Sequence, residues 1–253
     1  MKLTFLGSGT SQGIPVIGCK CAVCVSNNSK DKRLRSSVLI ENNDDIFSID
    51  AGPDFRQQML RENIDKLDAV LITHGHKDHI AGLDDVRAFN YLHKKPMKIW
   101  ADKYATQSLH REFDYAFAEN KYPGVPSFDM NMISDNNIII GNTQITPITL
   151  LHHKLEVKAF RIADLTYITD ANHISEESYK LIEGSKIVII NALRKEKHVS
   201  HFNLEEALEV IKRINPKVAY LTHISHLMGL HNDVEMEIPN NVHIAYDGLK
   251  IEF

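Results

Sequence analysis

Seven consecutive residues, Thr73-His74-Gly75-His76-Lys77-Asp78-His79, constrain this chain more than any other stretch. They follow Ala69-Val70-Leu71-Ile72, a short apolar run that reads as a buried strand. They precede Ile80-Ala81-Gly82-Leu83, where a helix is expected to begin. Three histidines and an aspartate therefore fall within six residues at a strand exit. Neutral imidazoles and carboxylates are the usual ligands of zinc and related divalent ions. A tight turn aims alternate side chains at one point and later ones at a second point close by, which seats two metals side by side. The remaining ligands have to come from elsewhere in the chain.

The rest of the chain reads as strands first, then strands mixed with helices, repeated in a second half. Strands are expected at 3–6, 37–41, 45–49, 69–72, 98–101, 138–140, 143–150, 157–162, 165–169, 187–190, 218–221, 242–245 and 249–253. Helices are expected at 54–62, 83–92, 104–118, 175–182 and 204–214. That order suits one α+β domain over residues 1–253, a two-sheet sandwich with helices on its outer faces. Gly7-Ser8-Gly9 follows the first strand but misses both nucleotide-binding fingerprints and reads as a tight turn.

Three later strands end in a ligating residue type: His152-His153 after one, Asp170 after the next, His223 after a third. Strand ends suit this task because a rigid backbone holds the ligand in place. Asp50 also ends a strand and is expected either to orient a ligand imidazole through its other nitrogen or to cap its turn. The only cysteines, Cys19, Cys21 and Cys24, lie within six residues of one another. An odd, crowded set is a poor disulfide framework and reads as thiolate ligation in a reducing compartment. A closed structural zinc site takes four ligands, and His226, three residues after His223, is the expected fourth. Free thiols and a surface histidine are the alternative.

The H-x-H-x-D-H run resembles the signature of the metallo-β-lactamase superfamily, whose pattern also requires His, Asp and His at later strand exits, in that order. The resemblance implies a four-layer αββα sandwich with a dinuclear site: His74, His76 and His152 on one metal, Asp78, His79 and His223 on the other, and Asp170 bridging. Zinc, manganese or iron suits this ligand set. Gly18-Cys19-Lys20-Cys21-Ala22-Val23-Cys24, Thr222-His223-Ile224-Ser225-His226 and His201-Phe202-Asn203-Leu204 narrow the resemblance to the PhnP-like branch, typified by phosphoribosyl 1,2-cyclic phosphate phosphodiesterases. It covers nearly the whole chain. It favours His152 over His153 and implies a structural zinc on the three cysteines and His226, a homodimer, and His201 acting near the leaving group. His153 and His231 are extra histidines, and residues 104–132 match little beyond their position, which makes them a candidate wall of the substrate pocket.

Two metals about 3.5–4 Å apart lower the pKa of a bridging water and supply hydroxide for in-line attack on a small, possibly strained cyclic, phosphodiester. Asp78 and His201 are the residues expected to carry catalysis, His201 by protonating the departing alkoxide or fixing the phosphate. Arg87 is a further candidate phosphate contact. Hydrolysis of a thioester, lactone or lactam at the same metals is the alternative. Processing of tRNA 3′ ends is another. The formal charge of −4 and the lack of a Gly-rich basic insertion argue against a stable nucleic-acid partner. A metal-stabilised scaffold without activity would be expected to have lost a ligand. No run is long enough to span a membrane, and the short apolar core at the N-terminus points to the cytoplasm.

Overall fold

The computed structural model describes all 253 residues. Two mixed, seven-stranded sheets are packed face to face. The first holds β1 (Lys2–Gly7), β2 (Ser37–Asn42), β3 (Asp45–Ile49), β4 (Ala69–Leu71), β5 (Met97–Ala101) and β6 (Phe128–Met132) in sequential order. The second holds β7 (Ile138–Ile140), β8 (Thr143–His152), β9 (Leu155–Ile162), β10 (Leu165–Ile168), β11 (Ile187–Asn191), β12 (Val218–Thr222) and β13 (Val242–Ile244). The last strand, β14 (Lys250–Glu252), crosses back and pairs with β1. The chain ends thus meet: the Met1 ammonium donates to the Phe253 carbonyl at 2.9 Å, and the Phe253 N–H to the Met1 carbonyl at 3.0 Å.

Three apolar layers follow from side-chain alternation along the strands. Leu3, Phe5, Phe47, Phe160 and Tyr167 fill the space between the sheets. Leu39, Val70 and Ile99 point outward from the first sheet, under Phe55, Phe89 and Leu109 from its covering helices. Val188, Ile190 and Leu221 point outward from the second, under Val210, Ile211 and Val234. Strands buried on both faces must be apolar at nearly every position, as Ile187-Val188-Ile189-Ile190 is. The layers are therefore helix, sheet, sheet, helix, an α+β sandwich.

Most elements lie where the residue pattern places them. Helix Leu204–Ile214 is closed at its start by a capping box, with Asn203 and Glu206 satisfying each other's backbone N–H groups. Four of the differences have identifiable physical causes. The expected helix over 104–118 breaks at Phe113, whose ring is buried against Phe128, leaving Lys103–Glu112 and a single turn, Asp114–Phe117. The helix after the histidine turn starts inside it, at Lys77–Ile80, and the segment 83–92 opens as a 3₁₀ turn before becoming α-helical at Arg87. Strand β6 is an edge strand with half-exposed polar positions, so its sequence carries no continuous apolar run. Helix His231–Glu237 buries only His231 and Val234 and has little periodicity to betray it.

Strands β3 to β6 run parallel, as do β10 to β13, so their carboxyl ends share one edge of the sandwich. The loop after β3 is clamped there to the segment after β4. The Ala51 N–H donates to the His79 carbonyl at 2.8 Å, and the Gly82 N–H to the Ala51 carbonyl at 2.9 Å. Glycine is required at both crossings. A Cβ on Gly52 would lie 2.0 Å from the Asp78 carbonyl oxygen, and one on Gly82 would lie 2.0 Å from the Gly52 carbonyl oxygen. Both obstacles are backbone, so neither can swing away. Gly52→Ala is therefore expected to cost about 1–3 kcal/mol by forcing the two segments apart. Thermal unfolding should show it as a Tm lowered by roughly 2–10 °C, and an unchanged Tm would contradict the clamp.

Candidate metal centre

Each side chain singled out at a strand exit lies on this edge. Asp50 follows β3, the turn 73–79 follows β4, His152 ends β8, Asp170 follows β10 and His223 follows β12. Asp50, Asp170 and His223 adopt left-handed backbone conformations, with φ of 65°, 55° and 55°. For residues with a Cβ this costs on the order of 1 kcal/mol each and is held in place by the surrounding contacts.

Two groups of ligating atoms result. In one, His74, His76, His152 and Asp170 each offer an atom within 4.8 Å of the others; in the second, Asp78, His79, Asp170 and His223 do so. Asp170 belongs to both. Its Oδ1 is 2.9 Å from His223 Nε2, and its Oδ2 is 3.2 Å from His79 Nε2 and 3.6 Å from His74 Nε2. Neither ring nitrogen of the buried His223 makes a hydrogen bond, and His201 Nε2 is likewise buried without one. Buried polar atoms normally have partners. Lone pairs converging on two points beside a shared carboxylate are what a pair of divalent cations would satisfy, so the residues fit the ions.

The imidazoles are aimed from behind. His79 Nδ1 donates to Asp50 Oδ2 at 2.7 Å, leaving Nε2 to face the cluster. Asp50 is itself fully buried and accepts the Thr73 N–H and hydroxyl, both at 2.9 Å. His152 Nδ1 donates to the Ser200 carbonyl at 2.7 Å, which fixes its tautomer in the same way. Asp50 therefore fixes the orientation of the His79 imidazole through its Nδ1.

Charge in the cluster is divided. Burial lowers His74 well below the usual imidazole range and takes His152 down to about 4. Burial also opposes charge on His79 and His223, but Asp78 and Asp170 override it, holding His79 well above its usual value and His223 at about 9. Asp78 and Asp170 lie below the usual carboxylate range in spite of burial, because His79 and His223 face them. Burial raises the Asp50 carboxyl. The positive charge that the two carboxylates hold on His79 and His223 is charge a divalent cation would replace, so metal and protons compete here.

His201 leans over the second group. Its ring stacks on His223 with centroids 5.0 Å apart, and its Nε2 is 3.4 Å from Asp170 Oδ2. Its Nδ1 is 3.1 Å from both the Ser200 hydroxyl and His198 Nδ1.

A separate group forms from Cys19, Cys21, Cys24 and His226. His226 Nδ1 is 3.4 Å from Cys19 Sγ and 3.3 Å from Cys21 Sγ. A tetrahedral zinc with bonds of about 2.3 Å to sulfur and 2.0 Å to nitrogen has S···N edges of about 3.5 Å. The Cys24 N–H and His226 draw the Cys21 thiol down to about 6, whereas burial pushes Cys24 up to about 11.

Three side chains stay out of these groups. His153 is exposed on a left-handed turn, where its N–H donates to Asn172. His231 is buried beside the Arg33 guanidinium at 3.3 Å. Arg87, the phosphate contact expected from sequence, is held by Asp84 at 2.7 Å in a half-exposed ion pair on its own helix. The arginine beside the histidine turn is Arg111, together with Tyr104 and Ser108. They line a cavity of about 200 Å³ against His74, Gly75 and His76. The segment 104–132 was expected to wall the substrate pocket, but these three were not singled out within it; their i, i+4, i+7 spacing on one helix face was the available signal. A wider apolar groove beside helix Leu204–Ile214 lies on the outer face and includes none of these residues.

Comparison with known proteins gives the family and the fold. The β-lactamase superfamily domain model matches residues 47–224. An octanoyltransferase of Porphyromonas gingivalis is 36% identical over 253 residues, covering 99% of this chain but 51% of the relative, so the chain spans about half that protein's length. The coenzyme PQQ synthesis protein B of Methylobacterium radiotolerans is 35% identical over 101 residues, 34% of each chain. The crystal structure of a diphosphatase from the PhnP family superposes with a TM-score of 0.93 at 36% identity, covering 100% of this chain and 97% of the other. Human tRNase Z, short form, shares the fold with a TM-score of 0.70 at 17% identity, covering 100% and 99%. With a family model matched over most of its length and a solved relative matched end to end, this chain belongs to the metallo-β-lactamase superfamily as a PhnP-like member.

Proposed function

We propose that the chain hydrolyses a small phosphodiester at two divalent ions. His74, His76 and His152 would hold one, Asp78, His79 and His223 the other, with Asp170 shared. The observation that carries this is the convergence of both donor groups on the single Asp170 carboxylate. Zinc and manganese both suit nitrogen and carboxylate donors. When bound, such ions polarise phosphoryl oxygens and supply a water of lowered pKa.

The protein's own part is positional. Asp50 and the Ser200 carbonyl keep the Nε2 atoms of His79 and His152 turned inward. Asp78 and Asp170 keep anionic charge at the point where cations are needed. His201 Nε2 is the remaining unpartnered donor on the rim, free to give a proton to the departing oxygen or to hold the phosphate. The similarity to a PhnP-family diphosphatase supports a phosphoester or phosphoanhydride bond as the one cleaved. Cys19, Cys21, Cys24 and His226 would hold a structural zinc. A homodimer without nucleic-acid partners, in the cytoplasm, completes the proposal; no helix is long and apolar enough to cross a membrane.

A second reading, thioester hydrolysis at the same groups, has one observation in its favour. The relative matched over 99% of this chain is called an octanoyltransferase, a name for acyl transfer, although only half of that protein is matched. A substrate panel separates the two. Bis-p-nitrophenyl phosphate should be turned over in a chelator-sensitive way and an octanoyl thioester should not; the reverse preference would overturn the phosphodiesterase reading. His201→Ala should keep full metal content and lower kcat about 10²–10⁴-fold, and loss of metal in that variant would remove its assignment. His226→Ala should lose one zinc per chain and also lower occupancy of the dinuclear site, because His223 and His226 share one short segment. Full dinuclear occupancy and activity in that variant would refute the coupling.

A further inference from the structure

We infer that Tyr104, Ser108 and Arg111 form the subsite that reads the part of the substrate beyond the scissile phosphate, with Arg111 selecting a second anionic group, a phosphoryl above all. The inference rests on the phosphodiester reading for the identity of the reacting group; none of the three residues belongs to a donor group, and their cavity abuts His74 and His76. The three residues recur at i, i+4 and i+7 on helix Lys103–Glu112, whose opposite face buries Ala105 and Leu109 against the first sheet. The polar stripe is thereby turned toward the histidine turn rather than left to chance. Contact is close: a Cβ on Gly75 would lie 2.4 Å from Ser108 Oγ.

The donors along the stripe are unspent. Neither the Tyr104 nor the Ser108 hydroxyl has a hydrogen-bond partner within the protein. Arg111 makes one long contact, Nε to Glu112 at 3.5 Å, while Glu112 is engaged by Lys77. Both terminal nitrogens of the guanidinium are free, and its side chain is 72% exposed. A planar guanidinium matches two phosphoryl oxygens at once. Two carboxylates also border the cavity. Asp102 uses one oxygen to cap the helix, accepting the Ala105 N–H at 2.7 Å. Glu156 stands on β9, at the far wall, where it can accept from substrate hydroxyls. The cavity holds about 200 Å³, room for a compact polar group rather than a long chain. No other arginine lines it.

A matched pair of esters tests the assignment: thymidine 5′-(p-nitrophenyl phosphate) with and without a 3′-phosphate, both followed by p-nitrophenol release from the metal-loaded protein. The wild type should show the lower KM for the 3′-phosphorylated ester. Arg111→Ala should raise that KM about tenfold, the expectation for one charge-assisted contact at a partly exposed site, with kcat within about twofold. It should leave the ester without the 3′-phosphate unchanged, and Arg111→Lys should recover part of the loss. No change on either ester, or equal losses on both, would overturn the inference. If the wild type cleaves neither ester, the phosphodiesterase reading fails, and calorimetric titration with inorganic pyrophosphate then decides the subsite alone. An affinity about tenfold weaker in Arg111→Ala supports it, and equal affinities overturn it.

Discussion

One buried carboxylate organises this molecule. Asp170 is 2% exposed and faces four imidazoles, His74 and His79 from the first sheet and His201 and His223 from the second. An anion taken out of water costs several kcal/mol unless charge and hydrogen bonds surround it. Asp170 cannot be housed by either sheet alone. Its partners arrive only when the two sheets close face to face with their strand ends in register. The left-handed backbone at Asp170 and His223 turns both side chains off their strands and into the seam.

The same logic explains which features were legible in the sequence. The turn 73–79 is local: its spacing can be read without knowing the fold. His152, Asp170 and His223 were legible because each closes an apolar run, and strand ends are visible as changes of pattern. Asp50 was legible as a candidate, but its role needed the distance to His79. The layers were legible because strands buried on both faces must be apolar throughout. The rest depends on long-range packing. Phe113 breaks its helix to reach Phe128, a contact no local periodicity encodes. Strand β6 and helix His231–Glu237 are half-exposed and have weak patterns. Arg87 shows the limit of proximity in sequence: it follows the histidine turn closely, yet Asp84 three residues earlier takes its charge. Arg111 is far along the chain and reaches the cavity through the way its helix is packed.

The second cluster of ligating atoms is tied to the first by backbone as well as by sequence. Ile224 lies between His223 and His226, and its N–H and carbonyl bond the Ser8 carbonyl and the Thr10 N–H at 2.9 and 3.0 Å. Ser225 donates to the Leu193 carbonyl. The start of the chain, which leads into the cysteines, therefore grips the segment that presents His223. Arg33 and Asp247 extend this grip with bonds to Ser8. Placing Cys19, Cys21 and Cys24 beside His226 adds a covalently short path between the two clusters.

The pairing of β1 with β14 has a consequence for how this fold can be joined to other sequence. β1 runs toward the histidines, where Gly9 bridges Ile224, so its first residue starts at the opposite rim. At about 3.4 Å per residue, six residues separate the two rims by roughly 20 Å. β14 runs the other way and finishes beside that start. Polypeptide attached at either end would leave from the rim remote from the cavity, through neighbouring doorways. An appended module would then sit away from the edge that carries the histidines.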